Sequence, residues 1–164
     1  MRSLPYETLV PTEVRPSTIP GAGLGLFACV DLEPLTPIGF YPGVYQDRFE
    51  PVAHPGYAMG TLDPDVVLVP DPSIRVGLHF VNEPSPEHAI NSVYVKLDDL
   101  RCLFLSWGPI KAGDELLTCY GHFKHRDYLI PSAHSCADPR CGVHTRWHRK
   151  HSRALDDWHL GDAV

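Results

Sequence analysis

A chain of 164 residues, 43% hydrophobic and 21% charged, has room for one domain with its own core and little beside it. Residues 1–121 hold 7 Lys/Arg against 15 Asp/Glu, a net charge of −8. This argues against a nucleic-acid partner, whose affinity comes mainly from neutralised phosphates, and suits long-range attraction of a basic peptide. The 17 prolines remove backbone donors and break helix interiors, so short strands and turns should dominate. No apolar run reaches signal-peptide or bilayer length, which predicts a soluble, intracellular protein without membrane contact. The five cysteines are odd in number and lack the spacing of a disulfide framework, in keeping with a reducing compartment.

In chain order, the first predicted strand covers 24–30 and grows out of Gly21-Ala-Gly-Leu-Gly-Leu-Phe-Ala28. Glycines there let a backbone approach a ligand and take positive φ. The run is no dinucleotide fingerprint, because a strand follows where a helix is needed. A second strand is predicted over 38–45, containing Tyr41-Pro42-Gly43, and a third over 66–69. The fourth, 78–81, runs into Phe80-Val-Asn-Glu-Pro84 and a polar loop ending at Asn91. The fifth, 92–95, alternates Val93 and Val95 with polar neighbours, a period of two. The sixth covers 103–107, and Ile110-Lys-Ala-Gly-Asp-Glu-Leu-Leu-Thr-Cys-Tyr-Gly121 adds a turn and a short strand. Residues 123–130 suit one short helix. Beyond Pro131 the composition shifts; seven of the ten histidines lie at or past position 122, and residues 122–164 are basic, with 7 Lys/Arg against 5 Asp/Glu.

Gly-x-Gly-Leu-Phe-Ala, Tyr-x-Gly, Phe-Val-Asn…Asn and Ile-x-x-Gly-Asp-Glu-Leu…Tyr-Gly, in that order over residues 13–122, resemble the SET-domain lysine methyltransferases. The resemblance implies a mostly β fold of small curved sheets with knot-like threading and few short helices. It divides the chain into a catalytic domain, 1–125, and a Cys/His-rich tail, 126–164. It further implies that the segment with Asn82 passes against the one with Tyr120. Tyr120 then becomes the active-site tyrosine and Tyr41 lines the lysine channel, while Gly23, Leu24, Gly25, Tyr57, Asn82 and Glu83 border S-adenosylmethionine. Two departures stand out: Asn82-Glu83-Pro84 replaces the family's Asn-His-Ser, and Thr118-Cys119 precedes the tyrosine where an aromatic or acidic residue is usual.

His134-Ser-Cys136-Ala-Asp-Pro-Arg-Cys141 resembles the family's zinc-binding tail with its first cysteine changed to histidine. The family's fourth ligand falls on His88, so the implied set is His88, His134, Cys136 and Cys141, a combination that zinc accepts. A local set of Cys136, Cys141, His144 and His148, or a tail without metal, remains open; with zinc closing the tail over the cofactor, Trp147 or Trp158 would cover adenine. The expected function is methyl transfer from S-adenosylmethionine to a lysine of a basic protein or peptide. Asp63, Asp65, Asp98 and Asp99 are either acids that meet a basic peptide or ordinary solvated loop charges. Methylation of a small amine or metabolite, and an inactive binding module with the same fold, are the competing readings.

Overall fold

Nine short strands and two single 3-10 turns make up the regular structure of residues 2–85 and 88–120, the part of the chain that this computed structural model describes. The strands are β1 (Ser3–Leu4), β2 (Thr12–Pro16), β3 (Leu24–Ala28), β4 (Pro37–Phe40), β5 (Gly43–Asp47), β6 (Met59–Gly60), β7 (Val66–Val69), β8 (Ser92–Lys96) and β9 (Cys102–Ser106). The turns are Pro55–Tyr57 and Leu78–Phe80. The strands form three small antiparallel sheets, ordered β1-β5-β7-β6, β2-β3 and β4-β9-β8. The mostly β architecture is the one that proline-rich composition favours.

Period-two side chains explain the third sheet. All five residues of β9 are buried, because it is paired on both edges and covered on both faces. Leu103 and Leu105 join Val93 and Val95 of β8 in one cluster. Cys102 and Phe104 face the main core, with Leu26, Ile38, Leu78 and Leu116. The alternation of β8 therefore leaves Tyr94 and Lys96 on the face away from Val93 and Val95.

Two predicted strands are corrected. The 38–45 run divides between β4 and β5, which belong to different sheets. Pro42 has no N–H to give a ladder, and Gly43 takes φ +122, packed so tightly that a Cβ would stand 2.5 Å from the Val69 carbonyl carbon. The 78–81 run is a turn: Phe80 N–H donates to Gly77 O at 3.3 Å and Val81 N–H to Leu78 O at 3.1 Å. Its residues are buried on every side, a pattern that a short apolar strand and a buried turn share. Strands β1, β2 and β6 were not anticipated; β2 carries one aliphatic residue, Val14, between Glu13 and Arg15, and the other two have two residues each. The predicted helix at 123–130 lies outside the described residues.

Candidate active site

Residues 82 and 117 form an isolated parallel bridge. Thr118 N–H donates to Asn82 O at 2.9 Å, and the Tyr120 hydroxyl donates to Val81 O at 2.9 Å. Tyr120 N–H donates to the Glu83 carboxylate at 3.2 Å. Two segments almost forty residues apart in sequence thus meet side by side. Asn91 splints the crossing from below: its side chain accepts from Leu117 N–H at 2.8 Å and donates to Glu115 O at 2.7 Å.

A cavity of about 820 Å³ opens against this crossing, with Tyr120, Thr118, Asn82 and Glu83 on one side and the turn Gly21–Leu24 on another. Gly21 and Gly23 hold φ +78 and +73, and no described residue lies within 4 Å of where their Cβ atoms would be. Their backbone is therefore bare toward open space, as a cradle for a polar ligand requires. The volume lies within the ~300–1,000 Å³ range of small-molecule sites, and Gly21, Gly23, Leu24, Asn82 and Glu83 are among the residues that line it.

The turn is anchored by a buried carboxylate that the motif contained but the sequence reading did not single out. Glu115, 6% exposed, accepts from the Ser17 hydroxyl at 2.6 Å, from Thr18 N–H at 2.7 Å and from the Thr18 hydroxyl at 2.5 Å. Asn82 Nδ2 donates to the same carboxylate at 3.2 Å and to Leu24 O at 2.9 Å. Gly25 does not line the cavity: it lies in β3, and a Cβ there would overlap the Glu115 carboxylate. Its lack of a side chain makes room for the anchor. Its one cue in sequence is an acid that directly precedes the apolar pair Leu116-Leu117.

Tyr41 lies beside this group, buried, with its ring stacked on Phe104 at 6.1 Å and its hydroxyl donating to Tyr57 O at 2.6 Å. Burial first, then the neighbouring Tyr120, raises its pKa well above the ordinary tyrosine value, so the phenol stays neutral. Tyr57 is 37% exposed and lines the same cavity. His88 stands apart from the lining, its ring Nδ1 2.6 Å from the Ser85 hydroxyl. His134, Cys136, Cys141 and Trp147 lie outside the described residues, among which no group of three or more His, Cys, Asp or Glu gathers as a metal site.

Two polar side chains of the cavity wall each leave one atom without a partner among the described residues. The Thr118 hydroxyl, on a residue 1% exposed, makes no hydrogen bond to any of them. An unsatisfied buried hydroxyl costs about 1–3 kcal/mol, so Thr118→Val, close in shape, should raise the urea midpoint by an amount worth about 1 kcal/mol. A lower midpoint would show that the hydroxyl is satisfied. His79 has Nε2 3.1 Å from Ile74 O while Nδ1 is unpaired. Burial lowers its pKa from 6.5 to about 4, partly opposed by Ile74 O and Asp71. The unfolded imidazole takes its proton more readily, so this contribution to stability is complete above pH 6.5 and declines as pH falls toward 4. Urea unfolding should weaken between pH 7 and pH 5, and less steeply in His79→Gln; equal slopes would contradict the assignment.

No family model and no curated protein matches the chain. Solved structures do. An active polycomb repressive complex 2 in the basal state matches with TM-score 0.58 and 24% identity over 69% of this chain and 15% of that one. The polycomb repressive complex 2 of Chaetomium thermophilum matches with TM-score 0.56 and 20% identity, over 77% and 17%. KRYPTONITE, in complex with mCHH DNA, H3(1-15) peptide and SAH, matches with TM-score 0.53 and 18% identity, over 77% and 25%. The chain spans a quarter or less of these neighbours' lengths.

Proposed function

The three small sheets and the likenesses to solved structures give the described chain a SET-type fold, and from that premise we propose that it is an S-adenosylmethionine-dependent methyltransferase whose acceptor is a lysine of a basic protein or peptide. The observation that carries this reading is the meeting of Tyr120, the crossing at Asn82 and the bare Gly21–Gly23 backbone on one cavity. The SAH and H3(1-15) peptide in the KRYPTONITE structure lend it support.

S-adenosylmethionine would supply the methyl group, already activated on a cationic sulfur. The chain's own residues have three tasks. Free lysine has a pKa of ~10.4 and must lose a proton before it attacks. A wall of Tyr41, Phe80, Phe104 and Tyr94 excludes water and favours the neutral amine. The Tyr120 hydroxyl donates its hydrogen bond to Val81 O, which leaves the oxygen's lone pairs as acceptors for amine N–H or methyl C–H, the latter worth only ~0.5–1 kcal/mol. Holding nitrogen, carbon and sulfur in line is the larger effect, up to ~7–11 kcal/mol. Asn82 and Glu115 position the glycine turn, and Glu83 fixes the backbone of Tyr120. The acceptor chain would lie along β6, which among the described residues pairs with β7 alone, adding main-chain hydrogen bonds in the manner of a further strand.

Labelled S-adenosylmethionine, incubated with the protein and either a panel of basic proteins or a panel of small amines, tests the reading. Label on protein lysine, located by mass spectrometry, is the expected result. Label on an amine alone would move the acceptor to metabolites, and no label in either arm with no cofactor binding would leave a binding module.

A further inference from the structure

Apart from Glu83, the described residues that line the cavity include no carboxylate, and three of them are cations: Arg48, Arg75 and Lys96. The acids expected to meet a basic peptide, Asp63, Asp65, Asp98 and Asp99, are not in its wall. Glu83 is committed to Tyr120 N–H. The side chains of the three cations form no ion pair with any described residue. Two of them converge: Lys96 Nζ and Arg48 Nη2 lie 3.4 and 3.5 Å from where a Cβ on Gly60 would stand. Gly60 belongs to β6, the strand that among the described residues pairs with β7 alone. Its small size keeps the space between the two nitrogens open.

A line of rings connects this pair to the site of transfer. Tyr41 stacks on Phe104 at 6.1 Å, Phe104 packs on Tyr94 at 5.6 Å, and Lys96 lies two residues beyond Tyr94 on the same face of β8. Like charges held together without a counter-ion are unfavourable until an anion arrives, and a guanidinium beside an ammonium offers a carboxylate charge-assisted hydrogen bonds on both sides.

We infer that the cavity selects an acceptor bearing an acidic side chain close to the methylated lysine, the carboxylate being held between Arg48 and Lys96 over Gly60. The inference rests on the methyl-transfer reading above and names the substrate class within it. The acidic body draws in a basic protein from a distance, and the cation pair then picks out a lysine with an acid near it. Long-range charge and local contact serve separate steps, encounter and register.

The test measures KM for lysine peptides that are otherwise neutral and carry one Glu, or one Lys, at each of the three positions on either side of the target. At one or more positions the Glu peptide should have a KM about 10-fold below that of the Lys peptide, and the gap should narrow as salt rises. In Arg48→Glu/Lys96→Glu the order of the two peptides should invert, while titration of SAH gives the wild-type affinity. Equal KM values, or a preference for Lys in the wild type, would overturn this inference and leave methyl transfer standing. Weaker SAH binding in the double variant, with the peptide preference unaltered, would assign the pair to the donor's carboxylate and also overturn it. Absence of transfer to every peptide would remove both readings together.

Discussion

Tyr120→Phe should lower kcat for methyl transfer by about 100-fold while SAH binds almost as it does to the wild type. Phenylalanine keeps the ring but loses both the hydrogen bond to Val81 O and the oxygen that faces the cavity. The backbone of Tyr120 is held independently, through its N–H and Glu83, so the ring should stay where it is. On the proposed reading the loss falls on alignment of the amine, not on binding of the donor. Steady-state kinetics together with calorimetric titration of SAH separate the two. Wild-type kcat in the variant would mean that the hydroxyl has no part in transfer, and equal loss of SAH affinity would make it a cofactor contact.

Glu115→Ala should be the most damaging single change to stability, about 3 kcal/mol or more. Four donors from Ser17, Thr18 and Asn82 converge on this carboxylate, and alanine would strand those that cannot reach water. The same donors tie the turn before β3 to the 82–117 crossing, so SAH affinity should fall along with the urea midpoint. Glu115→Gln provides the finer reading, since one amide oxygen can serve some donors while the amide N–H groups oppose the rest. Glu13→Ala, on an exposed side chain paired with Arg15 at 3.4 Å, should shift stability by less than ~0.5 kcal/mol. Comparable losses in Glu13→Ala and Glu115→Ala would show that the buried network contributes little.

Period-two alternation made β8 legible, because Val93 and Val95 face one core cluster while Tyr94 and Lys96, on the other face, stay half-buried. The glycine turn at 21–23 was legible through residues that permit positive φ, whereas Pro42-Gly43, read inside one strand, divides two. The same local logic could not decide 78–81, whose side chains are buried all round, nor find β6, which is two residues long and gains its meaning from β7. The meeting of Val81, Asn82 and Tyr120 has no periodic cue at all. It followed from the order of four motifs resembling a family whose fold brings them together, and the hydrogen bonds at 82–118 and 81–120 are its physical form. Gly25, grouped with Gly23 as backbone for the cofactor, also gives space to Glu115, a role that no motif announced. The Arg48–Lys96 pair was out of reach for a plainer reason: its members lie 48 residues apart and meet over a glycine that no motif marks.

Calorimetric titration of SAH into the purified chain tests the central claim most directly. One saturable site is expected, with affinity lost in Glu115→Ala and kept in Tyr120→Phe. A flat titration with folded wild-type protein would contradict the account, because a cavity that does not take up the donor's product cannot be a methyl-transfer site.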